Sequence, residues 1–347
     1  MELLPTVWFI AIALLWTGFL LLEGFDLGVG MHMLVTGRST AQRRVMLNTI
    51  GPVWDGNEVW LVTAGAAMFA AFPMWYASLI STFYIPVTII LVGLIFRAVG
   101  IEYRGKGATK RWERSWEIGI GAGSFVVAFG IGAMLAATTT GLPIDANGDG
   151  TGGPFGWLTI PAVIGGFASV GFCLVHGATF LGLKSDGSVR IAARRFTTRL
   201  APFLLVPMAG WVVLVQVRSG NVVTFAITLL AVVAAVAGWL AARAGHERRA
   251  FAGFAGFLVL GVAAIFGAVY PLVLPSTLHT AYDLTISNAS SAPYTLGVMS
   301  VVAAFGLPLV VVYQGWSYWV FRRRISEAQI PDAHIVLPAI RKPAEKR

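Results

Sequence analysis

An all-α polytopic membrane protein is the fold class that this sequence predicts, and three observations carry the prediction. The 347 residues are 57% hydrophobic and 12% charged, about half the charged fraction of ordinary soluble domains. Long stretches contain no charged residue, and each can hold one or two membrane helices of roughly 20 residues. These stretches are 3–22, 59–96, 118–144, 151–183, 219–242 and 284–321. Basic residues also alternate between loops, as is typical of membrane topology.

The apolar stretches divide into nine predicted transmembrane spans. Their approximate bounds are 5–31, 53–72, 77–100, 116–138, 157–181, 200–217, 221–242, 252–272 and 295–320. No change of composition separates two domains, so we predict one transmembrane domain over 1–325 and a cytoplasmic tail over 326–347. The first apolar run is preceded by Glu2 and not by a basic segment, so a cleaved signal peptide is not expected.

Positive charge is confined to one side of the predicted helical bundle. All but two of the 25 Lys and Arg residues fall in loops one, three, five and seven or in the C-terminal tail, the exceptions being Arg97 and Arg218. Cytoplasmic loops carry such an excess, so the N-terminus is predicted outside and the C-terminus in the cytoplasm. The net charge of +9 then comes from basic residues around the cytoplasmic side of the bundle, next to anionic membrane lipid. No nucleic-acid partner is expected.

Four acidic residues are predicted near the cytoplasmic ends of spans one and two. Asp55 and Glu58 are three residues apart, as are Glu23 and Asp26, so each pair shares a helix face. A capping box is one interpretation of the first pair, and a salt bridge to Arg97 is one interpretation of the second. Carboxylates within a membrane are costly and usually functional, which makes a proton relay the sharper hypothesis. The residues alone leave these alternatives open.

The remaining candidate residues have structural interpretations. Gly24 and Gly28 are spaced for close helix packing, and the single Cys173 is predicted to be an inert buried thiol. We expect His176 to be a hydrogen-bonded interior side chain and His32 to lie at the membrane interface. No metal-binding set of side chains is predicted.

Six sequence blocks resemble subunit II of cytochrome bd-type quinol oxidases. They occur in the order of that family from span one to span nine, and the Gly-Pro-x-Trp-Asp-Gly-Asn motif is the most specific part. The blocks are EGFDLGVG (23–30), GPVWDGNEVWLVTAGAAMFAAFP (51–73), FRAVGIEYRGK (96–106), YPLVLPS (270–276), LTISNASSAPYTLGVM (284–299) and YQGWSYWVFRRR (313–324).

The resemblance implies an architecture and a partner. The fold would be two four-helix bundles plus a peripheral helix, paired as a heterodimer with a separate subunit I in the bacterial cytoplasmic membrane. Subunit I would carry two haems b, haem d and the quinol site, whereas this chain would bind no haem but could hold a structural quinone or lipid. The complex would oxidise quinol and reduce oxygen to water with cytoplasmic protons, and small accessory subunits can accompany it.

The resemblance also implies a proton path that crosses the boundary between the two subunits. Asp55 matches the Asp of the family's WDGN motif and is the expected key group, assisted by Asp26 and Glu102, with Arg97 tuning their charge. Glu58 often appears as Gln in the family, so its charge is not expected to be obligatory. The predicted proton-pathway residues are Asp55, Asp26, Glu102, Glu58, Glu23 and Arg97.

Two other functions are compatible with the same residues. A proton-coupled secondary transporter would bind its coupling ion near the bilayer midplane, but here the acids cluster toward one face and no inverted repeat is visible. A purely structural assembly subunit would use its acids only in salt bridges. Activity after Asp55→Asn would distinguish the last of these from a proton path.

Overall fold

Helices make up nearly all of the computed structural model, which describes residues 3–107 and 109–329. The helices are α1 (Leu3–Val35), α2 (Thr40–Ile50), α3 (Trp54–Ala71), α4 (Pro73–Thr82), α5 (Tyr84–Tyr103), α6 (Lys110–Thr140), α7 (Ile160–Lys184), α8 (Gly187–Leu204), α9 (Val206–Ser219), α10 (Val222–Ala244), α11 (Glu247–Val269) and α12 (Pro293–Val320). Strands β1 (Leu272–Leu274) and β2 (Leu284–Thr285) pair antiparallel. The all-α class is therefore confirmed, while residues 330–347 of the predicted tail lie outside the described residues.

Eight segments of the described chain are long and apolar enough to cross a membrane. They are Leu3–Val35, Tyr84–Lys106, Lys110–Thr140, Ile160–Lys184, Gly187–Ser219, Val222–Ala244, Glu247–Val269 and Pro293–Val320. The second predicted span, 53–72, corresponds to α3 and is not among them. Asp55, Asn57 and Glu58 occupy the first turns of α3 and lower its mean hydropathy.

Two predicted spans are divided in the structure, and proline explains both breaks. Span 77–100 covers the end of α4 and most of α5, which are separated at Phe83. Span 200–217 covers the end of α8 and most of α9, which are separated at Leu205. Pro86 and Pro207 follow these breaks by two or three residues, and neither has an amide hydrogen to continue the helical ladder. Hydrogen bonding resumes with Val87 and Ala209.

Helices α1, α6 and α7 form the centre of the molecule and pack against one another. The crossing of α1 and α7 depends on Gly28, because a Cβ there would lie 1.9 Å from the carbonyl oxygen of Cys173. At Gly24 a Cβ would meet Phe172 at 3.6 Å, an ordinary contact. The predicted close packing is thus confirmed for Gly28 and is not required at Gly24.

Helix α12 lies at the edge of the described structure. Only 6% of its most apolar window is buried, and its buried side chains are Leu296 and Gln314. Large side chains such as Phe305, Trp316 and Trp319 are exposed along it. Apolar exposure on this scale indicates contact with lipid or with another chain.

Candidate functional site

A buried ion pair joins α1 to α5. Glu23 and Arg97 are both inaccessible to solvent, and Nη1 of Arg97 lies 2.7 Å from Oε1 of Glu23. The same nitrogen is 3.6 Å from Oε2 of Glu58, whose side chain is 19% exposed at the start of α3. The salt bridge to Arg97 is therefore confirmed for Glu23. With the neighbouring Asp26, these side chains form what we term the buried carboxylate cluster: Glu23, Asp26, Glu58 and Arg97.

Asp26 anchors a hydrogen-bond network that joins α1, α3 and α12. Its Oδ2 accepts a hydrogen bond from Nδ2 of Asn57 at 2.6 Å. Oδ1 of Asn57 in turn accepts from Nε2 of Gln314 at 2.8 Å and from the hydroxyl of Tyr318 at 2.7 Å. Trp60 donates its indole N–H to Oε1 of Gln314 at 2.7 Å. This network holds the otherwise exposed α12 against the cluster.

The three neutral side chains that link Asp26 to α12 were not predicted from the sequence. Gln314 and Tyr318 lie in a long apolar stretch without charge, and nothing in that stretch marks them as facing an acid. Asn57 stands within the recognised WDGN motif, which was the only available signal. Its role as the link between Asp26 and α12 depends on the packing of three helices and is visible only in three dimensions.

Several atoms of the buried carboxylate cluster have no hydrogen-bond partner among the described residues. They are Oε2 of Glu23, Oδ1 of Asp26, and Nε and Nη2 of Arg97. Buried polar atoms without partners are uncommon and each carries a desolvation cost. Their concentration at one place distinguishes the cluster from ordinary helix packing and leaves acceptor and donor positions that can bind a proton or an internal water molecule.

Asp55 and Glu102, by contrast, are exposed on the surface of the chain. Asp55 lies in the first turn of α3, where Val53 is the N-cap residue and no side chain caps the helix. The capping-box interpretation of Asp55 and Glu58 is therefore wrong, because α3 begins one residue before Asp55. Glu102 is exposed near the end of α5. The structure does not bring these two acids into the buried cluster.

A further buried carboxylate outside this cluster, Glu117 of α6, was not identified from the sequence. Its Oε1 accepts hydrogen bonds from Nε and Nη2 of Arg104 at 3.2 and 2.7 Å and lies 2.8 Å from Nε of Arg43. Its Oε2 lies 3.5 Å from Nη1 of Arg114. In the basic segment KRWERSWE, Glu117 resembles part of a solvated charged face. The only sign of an ion pair in the sequence was its position three residues after Arg114.

Both intramembrane histidines are buried and bonded to backbone. Nε2 of His176 lies 3.0 Å from the carbonyl oxygen of Leu21, which agrees with the expected hydrogen-bonded interior position. His32 was expected at the interface, but it is fully buried, with Nε2 at 2.8 Å from the carbonyl oxygen of Leu174. Phe196 of α8 covers the ring, with centroids 4.6 Å apart, so His32 faces protein, and its depth in the membrane stays a prediction. Burial is confirmed for Cys173.

Comparison with known sequences gives the family of this chain. The family model described as cytochrome bd terminal oxidase subunit II matches residues 4–321. A relative from Bacillus subtilis (strain 168), cytochrome bd ubiquinol oxidase subunit 2, is 37% identical over 335 residues, covering 95% of this chain and 99% of that protein. Cytochrome bd-I ubiquinol oxidase subunit 2 from Escherichia coli (strain K12) is 33% identical over 368 residues, covering 95% and 97%.

The fold is similar to that of a solved bd oxidase. A chain of the bd oxidase structure from Geobacillus thermodenitrificans superposes with a TM-score of 0.70 at 19% identity, covering 92% of this chain and 98% of that chain. The apolar helices and the bacterial relatives together indicate a multi-pass bacterial membrane protein. By the match along nearly its whole length, this chain belongs to the cytochrome bd terminal oxidase subunit II family.

Proposed function

We propose that this chain is the haem-free subunit II of a terminal quinol oxidase that reduces oxygen to water. It pairs with a subunit I that carries two haems b, haem d and the quinol site. It supports that subunit in the membrane and contributes carboxylates to the path of cytoplasmic protons. The observation that carries the proton role is the buried carboxylate cluster, in which Glu23 and Glu58 contact a single guanidinium and Asp26 lies beside them.

The proposed topology has nine spans in one transmembrane domain, with α3 added to the eight strongly apolar segments. An 18-residue helix is about 27 Å long, close to the thickness of the bilayer core. Near its start, Asn57 is bonded to Tyr318 at the end of α12. At its other end, the carbonyl oxygen of Ala71 accepts from the amide of Ser291, just before α12 begins. These contacts support a full crossing of α3, antiparallel to α12.

The proposed orientation puts the N-terminus outside and the C-terminus in the cytoplasm. Contacts between the basic segments support a common side for them. Arg43, after the first span, meets Glu117 beside Arg104, which follows α5. Gln42 of α2 donates to the hydroxyl of Ser188 in α8. These residues come from three predicted cytoplasmic loops, and positive charge on one side is the pattern of the cytoplasmic face.

The proposed proton path starts at the surface and leads inward. Asp55 is exposed where it can receive a proton from water or from subunit I. Glu58 lies one helical turn further along the same face and is partly exposed while touching Arg97. Glu23 and Asp26 follow behind it, both fully buried. Glu102 is an additional exposed acid near the same end of the bundle.

Excess negative charge is the physical basis of this proposal. If every acid of the buried carboxylate cluster were ionised, three negative charges would share the one positive charge of Arg97. Burying an uncompensated charge is costly, so binding protons neutralises the excess. Acids that bind and release protons in sequence are the chemistry that a proton path requires, and Arg97 adjusts how strongly each proton is held.

The test is Asp55→Asn in the assembled oxidase. We expect oxygen consumption with a soluble quinol to fall about tenfold or more, since a proton-transfer group typically contributes factors of this size or larger. Haem content and the yield of heterodimer should remain unchanged. Asp149→Asn is a matched control, because Asp149 is an exposed acid in the loop between α6 and α7 and should leave turnover unaltered.

Unchanged turnover in Asp55→Asn, with assembly intact, would remove Asp55 from the path and favour a purely structural role for the acids. The proton-coupled transporter is not favoured, because the chain belongs to an oxidase subunit family. A structural quinone or lipid held by this chain and small accessory subunits are compatible with the proposal and with the exposed surface of α12.

A further inference from the structure

We infer that the chain has a specific site for an anionic phospholipid, in a groove between α1, α7, α11 and the end of α12. The groove encloses about 700 Å³, a size that accommodates an organic ligand. It has an apolar floor and a cationic rim, and we refer to it as the cationic groove. This inference concerns a lipid contact and does not depend on the proposed proton path.

The floor of the cationic groove is aromatic. Phe25 and Phe180 are stacked with ring centroids 3.9 Å apart. Phe251 and Tyr318 complete the floor, each with its centroid 6.3 Å from that of Phe25. Aromatic rings in this arrangement form a firm apolar wall, which suits acyl chains and offers little to a soluble polar ligand.

The rim carries four positive side chains: Lys184, Arg248, Arg322 and Arg324. No carboxylate lines the groove within the described residues. Arg324 is the one that is neutralised, since its Nη1 lies 2.9 Å from Oδ1 of Asp186. Among the described residues, Lys184 and Arg322 donate hydrogen bonds only to backbone carbonyl groups and have no ion-pair partner. The guanidinium of Arg322 also lies 4.4 Å from the centroid of the Trp319 ring.

Arg248 is the most available of these cations. It is exposed in the first turns of α11, and no hydrogen bond or ion pair engages it among the residues the structure describes. The guanidinium geometry is well suited to bind a phosphate group through two parallel hydrogen bonds. Within residues 3–107 and 109–329, the rim therefore presents three cations without an ion-pair partner around the mouth of an apolar groove.

An anionic phospholipid is the ligand whose two halves match the two halves of this site. Its phosphodiester and any charged headgroup would meet the rim, while its acyl chains would lie on the aromatic floor. The rim belongs to the basic side of the protein, where anionic lipid concentrates. A neutral lipid or a quinone would fill the floor but leave the three cations without a counter-charge.

Occupancy of the cationic groove would also brace α12. Tyr318 forms part of the groove wall and donates its hydroxyl to Asn57, which is bonded to Asp26. A lipid packed against the ring of Tyr318 would hold that side chain in place. The bound lipid would thereby help to secure the peripheral helix beside the buried carboxylate cluster.

The test compares lipid selectivity in purified complexes that retain their partner subunit. Spin-labelled phosphatidylglycerol and phosphatidylcholine are added to delipidated complex, and the immobilised fraction is measured by electron paramagnetic resonance. The double variant Arg248→Ala/Arg322→Ala removes two rim cations. Arg249→Ala/Arg323→Ala removes the same charge from adjacent positions that do not line the groove.

We expect the unaltered complex to prefer phosphatidylglycerol over phosphatidylcholine. In the groove variant, the ratio of the two affinities should fall about fivefold for each cation removed. The control variant should keep its selectivity at moderate salt. Equal losses in both variants would overturn the inference, because they would reflect only the general positive charge on the basic side of the protein. Equal retention in both would overturn it as well, as would recovery of a quinone in place of phospholipid from complex photo-crosslinked at Ala255.

Discussion

Removing the buried guanidinium of Arg97 should destabilise this subunit more than removing any surface arginine. Both partners of the Arg97–Glu23 pair are inaccessible to solvent at 2.7 Å. Arg97→Leu leaves Glu23, Asp26 and Glu58 without a positive neighbour, and breaking a buried pair in this way costs about 3–5 kcal/mol. The measurement is the free energy of unfolding in mixed micelles, obtained by titrating the protein with a denaturing detergent.

A second variant separates the charge effect from lost packing. In Arg97→Leu/Glu23→Gln a neutral amide replaces the carboxylate of Glu23. Replacing both members of a buried ion pair by neutral groups often changes stability little. The double variant should therefore recover about 2 kcal/mol relative to Arg97→Leu alone, within the range of couplings between contacting residues. Arg114→Leu is the control, because that side chain is 53% exposed and its ion pair with Glu117 is 3.5 Å long.

Two results would refute this reasoning. One is a loss of less than about 1 kcal/mol for Arg97→Leu, which is the size expected of an exposed ion pair. The other is additivity, in which the stability lost by the double variant equals the sum of the losses in Arg97→Leu and Glu23→Gln. Contacting charges should instead couple. Either outcome would mean that the acids of the cluster do not need a cation, and that they are already neutral when Arg97 is present.

Three further predictions follow from particular contacts. Gly28→Ala should lower the free energy of unfolding by about 1–3 kcal/mol, since the added Cβ would clash with the backbone of α7. Gly24→Ala should lower it by less than about 1 kcal/mol, because its Cβ would make an ordinary contact. Glu117→Gln should lower the yield of folded subunit in size-exclusion profiles, because the largely buried guanidinium groups of Arg43 and Arg104 lose their counter-charge, while Glu113→Gln should not. Asn57→Leu should increase protease cleavage around α12 by breaking its polar anchor, and unchanged cleavage would contradict that anchoring role.

Long apolar stretches predicted most of the long helices of this fold, because lipid exposure requires long uninterrupted apolar stretches. Span 53–72 was predicted in this way and α3 occupies it, although Asp55, Asn57 and Glu58 in its first turns keep α3 outside the eight segments that are apolar enough to cross a membrane. Apolar stretches did not predict where the helices break. The break at Leu205 required attention to Pro207, whose missing amide hydrogen ends α8 earlier than hydropathy suggests.

The acidic residues were identified from the sequence, but their division into buried and exposed groups was not. Glu23 and Asp26 are buried because α1 is central and packed on several sides, whereas Asp55 and Glu102 are on the outer faces of α3 and α5. Which face of a helix meets a neighbour depends on tertiary packing, which spacing does not encode. Glu117 was overlooked for the same reason, since its burial depends on arginines from distant segments.

Stability alone does not account for the composition of the buried carboxylate cluster. One glutamate would suffice to pair with Arg97, and a well-packed apolar pair would often be as stable as the ion pair. The cluster instead adds Asp26 and Glu58 beside Glu23, and buried oxygen atoms of the acids are left without hydrogen-bond partners in the part of the chain that the structure describes. Each additional acid costs stability unless it is protonated. A site that must gain and lose protons requires such an excess of acids, so the proposed proton path explains a feature that helix packing would not select.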